Sequence, residues 1–160
     1  MLLLVTGVSG TLARPGCKAP GFEGSSQAQE ELLFEQNQLR SKTGLPPLVW
    51  SNELAEAAQQ WADKLLVEGL FMHSDMAYGE NLYKITGCAT TAAHVVTVWT
   101  TELQNYNYRE NTCSGECGHY TQIVWRETRK VGCGVARSSN QEIWACEYDP
   151  PGNVIGEWPY

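Results

Sequence analysis

Val131-Gly132-Cys133-Gly134-Val135-Ala136-Arg137-Ser138-Ser139-Asn140-Gln141-Glu142-Ile143-Trp144-Ala145-Cys146-Glu147-Tyr148 reads as two strands joined by a tight turn. Val131, Cys133 and Val135 alternate on the first arm, and Trp144, Cys146 and Tyr148 on the second. That is the period of a strand, whose successive side chains face opposite ways. With Ser139-Asn140 as a two-residue loop, Val135 stands opposite Trp144, Cys133 opposite Cys146 and Val131 opposite Tyr148. All three pairs then share one face, and a Cys133–Cys146 cross-strand disulfide is sterically natural. A slip of one residue would scatter the pattern. The other face carries Gly132, Gly134, Ala136, Ile143 and Ala145, also mostly apolar, so the sheet needs cover on both sides.

The cover is predicted from the preceding segments. Ser51 is a natural N-cap, after which Leu54, Ala57, Ala58, Trp61, Ala62 and Leu65 recur at three- and four-residue steps, with Gly69 as C-cap. A second helix is predicted over 28–42, with Leu32 and Leu39 on one side, ended by Gly44, Pro46 and Pro47. A third is predicted over 90–104, where Ala92, Val95, Val96, Trp99 and Leu103 keep helical spacing. Residues 120–125 form a β-rich run. Helices first and strands later, with two-sided cover, predict an α+β fold, a three-layer α-β-α sandwich.

With 160 residues there is room for one domain with a real core. It is expected over residues 28–160, after an irregular lead-in at 14–27. Residues 1–13 resemble a partial signal peptide, apolar at the start and closing on Thr11-Leu12-Ala13. The net charge of −7 has the wrong sign for a binder of nucleic-acid phosphates and disfavours electrostatic docking on an anionic membrane. Contact with a neutral lipid through an apolar groove is compatible with it. No stretch approaches the length of a membrane span. Six cysteines in a small domain suggest a disulfide framework, and with it a secreted, extracellular chain.

Three blocks carry a resemblance. Gly118-His119-Tyr120-Thr121-Gln122-Ile123-Val124-Trp125-Arg126-Glu127-Thr128 resembles the first signature of the CAP superfamily of cysteine-rich secretory proteins, antigen 5 and pathogenesis-related class-one proteins. Residues 143–154 resemble the second signature, and Tyr78-Gly79-Glu80-Asn81-Leu82 a third block. The resemblance is to the plant pathogenesis-related class-one type, and it implies the same three-layer sandwich. The chain departs from the family where Gln36-Asn37 stands for His-Asn, with Arg40 retained, and where Glu147 replaces the usual Asn or another polar residue. Two cysteines usual in plant members are missing, and Cys17 and Cys88 are present instead. Beside Cys133–Cys146, a local Cys113–Cys117 loop is expected, and Cys17–Cys88 is left by elimination.

The resemblance maps His73, Glu80, Glu102 and His119 onto one cleft. Two imidazoles and two carboxylates suit weakly bound zinc or another divalent cation. They equally suit a hydrogen-bonded network locking a loop onto a helix. Catalysis would need a nucleophile or activated water beside the base. Ser74, Ser114 and Thr121 lie near in sequence, but no nucleophile motif accompanies them, so binding without turnover is expected. Asn81, Tyr120 and Gln122 flank the cluster, and His94 is expected on a helix flank.

The tail from Pro150 through Gly152 and Asn153 to Pro159 and Tyr160 resembles the segment that plant members release as an immune signalling peptide. Read from its residues alone, it is an extended strap with Trp158 and Tyr160 as packing residues. The function the resemblance implies is that of a secreted, monomeric defence-type module. It would hold a sterol or fatty acid in a groove between helices striped at 54–65 and 92–103. A peptide precursor and a metal-dependent hydrolase are the alternatives.

Overall fold

The computed structural model describes residues 24–87 and 89–160. Its centre is a mixed four-stranded sheet in the order β1-β5-β6-β2. The strands are β1 (Val49–Trp50), β2 (Gly79–Thr86), β5 (Lys130–Arg137) and β6 (Gln141–Asp149). A small hairpin of β3 (Tyr106–Asn107) and β4 (Thr112–Cys113) stands apart from it. The β5–β6 register places Val131 against Tyr148, Cys133 against Cys146 and Val135 against Trp144, with Ser139-Asn140 at the tip. The α+β sandwich follows from it.

One face is covered by α2 (Asn52–Glu68). Ser51 caps it by accepting from Leu54 N, and Gly69 ends it at φ 67°. Leu54, Ala58, Ala62 and Leu65 are buried. The helix lies almost on the backbone of β5: a Cβ on Gly132 would sit 2.1 Å from Ala55 N, and one on Gly134 would sit 2.4 Å from Gln59 Cα. Bare glycines on that face are what admit a helix so closely. From α2 the Gln59 side chain reaches the outer edge of β5, donating to Val135 O and accepting from Val135 N, both at 3.0 Å. Beyond Val131 no strand pairs with that edge among the described residues.

The other face is covered by α1 (Gly24–Lys42), α3 (Ala92–Thr101) and α4 (Gly118–Ile123). Helix α1 begins four residues before the expected boundary. Helix α3 is shorter than expected and passes into a 3₁₀ turn, Glu102–Asn105. Trp99, Trp144, Tyr120 and Tyr148 fill the core between them.

Residues 120–125, expected as a β-rich run, are the major misreading, because Gly118–Ile123 is helical. Tyr120, Thr121, Gln122 and Ile123 are all buried, so neither period can show. Tertiary contacts decide: Glu102 accepts from the N–H groups of His119 and Tyr120, and Thr121 Oγ1 donates to Cys117 O one turn back. The segment after α4 is held by Arg40, which is wholly buried. Its guanidinium donates to the carbonyls of Pro46, Ile123, Trp125 and Thr128 at 2.8–3.1 Å. Burial lowers its pKa to about 10.

The structure joins Cys133 to Cys146 and Cys113 to Cys117. The expected Cys17–Cys88 pairing and the 1–13 leader lie outside the described residues.

Candidate functional site

The four mapped residues are drawn together as two His–Glu pairs rather than as one ligand set. His73 lies in the loop between α2 and β2, and its Nδ1 is 2.5 Å from Glu80 Oε1. Both Glu80 oxygens also accept from Ser74 N, at 3.2 and 3.3 Å, so this carboxylate fastens the loop to the sheet. The Glu80 side chain is 5% exposed and that of His73 66%. In the second pair, His119 Nδ1 is 2.6 Å from Glu102 Oε1. Glu102 also caps α4, and the His119 ring stacks on Trp99 with centroids 6.0 Å apart.

Successive residues of β2 tie the pairs together. Glu80 and Asn81 point to opposite faces of the strand. Asn81 Nδ2 donates to His119 O at 3.0 Å and to the Tyr148 hydroxyl at 3.2 Å. That hydroxyl in turn donates to Gln36 Oε1 at 2.8 Å. A buried polar chain thus runs from α1 to the backbone of His119, through the glutamine that stands where the family resemblance implied histidine. Glu147 stands opposite Glu80 in the β2–β6 register. It is wholly buried, and neither carboxylate oxygen has a hydrogen-bond partner among the described residues. Burial first, and the Glu80 charge second, hold its pKa well above the usual carboxylate range.

As metal donors the residues present less than the sequence suggested. Each imidazole spends Nδ1 on its glutamate, which leaves one Nε2 apiece. Among the described residues no three of His, Cys, Asp and Glu are disposed to hold a metal ion. The hydroxyls near in sequence are turned elsewhere: Thr121 Oγ1 to Cys117 O and Asn153, Ser114 Oγ to Asn105 O, and Ser74 Oγ toward Met76 N. His94 is exposed, 6.2 Å edge-on from Tyr83. Gln122 is buried and accepts from Gly152 N, which makes it an anchor for the tail.

The tail is a strap with two fastened ends. At its start, Thr128 Oγ1 donates to Pro150 O, and Asn153 bonds both Thr121 and Gly118. At its end, Arg126 N donates to Pro159 O at 2.6 Å, Trp158 Nε1 to Tyr108 O, and Tyr108 OH to Tyr160 O. The Tyr160 ring stacks on Tyr108 at 4.8 Å, and its hydroxyl meets that of Tyr120 at 2.9 Å. Between the ends a turn protrudes, with Ile155 at its tip fully exposed.

The expected lipid groove between the two striped helices does not form. Helices α2 and α3 lie on opposite faces of the sheet, and both stripes pack into the core apart from Leu103, which is exposed. A cavity of about 370 Å³ opens instead where the start of α1 and the first half of α2 flank the edge of β5. Leu32, Trp50, Ala55, Val135 and Trp144 line its apolar part. The indole N–H of Trp50 is buried and has no hydrogen-bond partner among the described residues.

Against known families, residues 33–148 match the model of the cysteine-rich secretory protein family, CAP. Pathogenesis-related protein 1 of Arabidopsis thaliana is 42% identical over 137 residues, spanning 85% of this chain and 84% of its own. The chain belongs to the CAP family. Within the family it is of the pathogenesis-related-1 type. Among solved CAP structures, venom allergen-like protein 4 of Schistosoma mansoni superposes with a TM-score of 0.69 at 26% identity, covering 84% of this chain and 94% of that one. NaASP2, in a crystal with Zn2+, gives 0.71 at 24% identity over 89% and 90% of the two chains, which speaks to the shared fold.

Proposed function

We propose that this CAP protein is a secreted, defence-type binding module for a small amphipathic lipid, a sterol or a fatty acid, taken up in the cavity beside β5. The cavity itself, apolar along Leu32, Ala55, Val135 and Trp144 and polar at Gln29, Asn52 and Gln59, is the observation that carries the reading. A ligand with an apolar body and one hydroxyl or carboxylate would set its body against the apolar residues and its polar group against the amides, and 370 Å³ falls within the range of small-molecule sites. The His–Glu pairs in this reading are braces. Binding without turnover is supported by hydroxyls that are committed to backbone and tail.

Labelled cholesterol and palmitate, titrated into the protein, test it. Micromolar binding that quenches Trp50 and is lost in Ala55→Phe, which fills the cavity, is expected. Binding of neither lipid, or equal binding by Ala55→Phe, would overturn it.

A divalent cation is a second reading, supported by the two free Nε2 atoms. His73 and His119 would hold it, with Glu80 and Glu102 fixing the rings as carboxylates commonly do for metal-bound histidines. Calorimetric titration with zinc beside His119→Ala decides: saturable binding near one equivalent, lost in the variant, is the result that supports it.

A further inference from the structure

At the opposite end of α2 from the residues that line the β5 cavity, the helix terminus and the loop after it expose an apolar run. Val67 is 87% exposed, and Leu70, Phe71 and Met72 are each between 43% and 54% exposed. Nothing in the His–Glu pairs requires them. Their setting is specific. The Trp61 indole donates to Met72 O at 3.2 Å and so backs the loop. Lys64 Nζ lies 5.1 Å above the Trp61 ring, and Lys84 Nζ lies 5.8 Å above Phe71. Two ammonium groups are therefore held beside the apolar run, on a chain whose net charge is −7.

We infer that this patch docks on the surface of a zwitterionic phospholipid bilayer. Apolar side chains would enter the acyl boundary, Trp61 would lie at headgroup depth, and the two lysines would meet headgroup phosphates. Exposed apolar clusters on a folded surface mark interaction sites. An indole and lysines rimming such a cluster match the layering of a bilayer interface, where amphipathic rings and long cationic side chains collect. Phosphates supply the charge complement, while the overall negative charge selects a bilayer without net charge. Of the nearby acids, Asp63 is engaged by the Gln59 amide toward the β5 edge. Glu68, four residues beyond Lys64, weakens contact with phosphate.

The inference does not depend on lipid uptake in the cavity. It is tested by sedimentation of the whole chain with phosphatidylcholine vesicles free of sterol and fatty acid. Expected is binding that falls at least tenfold in Phe71→Ser/Met72→Ser, falls severalfold in Lys64→Glu/Lys84→Glu, and rises in Glu68→Gln. Ile155→Ser, at the tip of the tail, should leave binding unchanged. Circular dichroism establishes that each variant is folded. Absence of binding at millimolar lipid, or equal binding by the Phe71/Met72 variant, overturns the inference. So does dimerisation of the wild type that the same variant abolishes without any vesicle binding, since the patch would then join two copies.

Discussion

Glu80 and Glu147 face each other across adjacent strands, and only Glu80 has hydrogen-bond partners among the described residues. Two like charges in that position repel. With its pKa held above the ordinary value of 4.5, Glu147 keeps a proton in the folded chain at pH values where the unfolded chain has lost it. The folded state binds more protons there, so stability falls as pH rises from the ordinary carboxylate range through neutral. Glu147→Gln should flatten that fall. Urea midpoints at pH 4 and pH 8 check it: the variant gains on the wild type at pH 8, on the order of a few kcal/mol, and the gain disappears at pH 4.

Arg40 joins α1 to four carbonyls beyond its own helix and has no carboxylate partner among those bonds. Arg40→Met leaves these buried acceptors unmatched and should cost about 3–5 kcal/mol. Arg40→Lys keeps the charge but loses the fork, and should recover only part of the loss. Denaturant unfolding of both variants measures it.

Gly134 admits α2 to the sheet, and a Cβ there would overlap the helix backbone at Gln59. Gly134→Ala should destabilise by about 1–3 kcal/mol or more, whereas Gly44→Ala, with nothing within 4 Å, pays only for its positive φ. Comparing the two melting curves separates packing from backbone strain.

A chain lacking residues 150–160 loses the partners of Gln122, Thr121 and Tyr120 on the strap. Its melting temperature should fall by several degrees. Limited proteolysis of the full chain should cut first in the protruding turn at 153–157. If the truncated chain kept its thermal stability, the strap would have no structural role, and the reading of the tail as a released signal would gain.

The β5–β6 hairpin was legible because alternation on two arms around a fixed turn leaves one register, and Cys133 opposite Cys146 marks it twice, whereas β1 and β2 were not foreseen. Helix α2 was legible because a single stripe, Ser51 and Gly69 all agree. Helix α4 was not, because a short helix buried on all sides shows no period and its cap, Glu102, lies 16 residues before Gly118. At the candidate site, the residues were found through the resemblance, but their pairing was hidden. Which nitrogen a carboxylate takes depends on how β2, α3 and α4 meet. Gln36 and Glu147 were visible as departures, while the hydroxyl that Gln36 accepts from, on Tyr148, and the carboxylate that Glu147 faces, on Glu80, lie far away in sequence.

Gln59 gives Val135 the two hydrogen bonds that a neighbouring strand would give. An open sheet edge is a template on which a second chain can begin to pair, and repeated pairing grows a fibre. By imitating one residue of a missing strand, this side chain ends the sheet without adding to it. The stretch of β5 that β1 leaves open is thus answered at Val135 from within the chain.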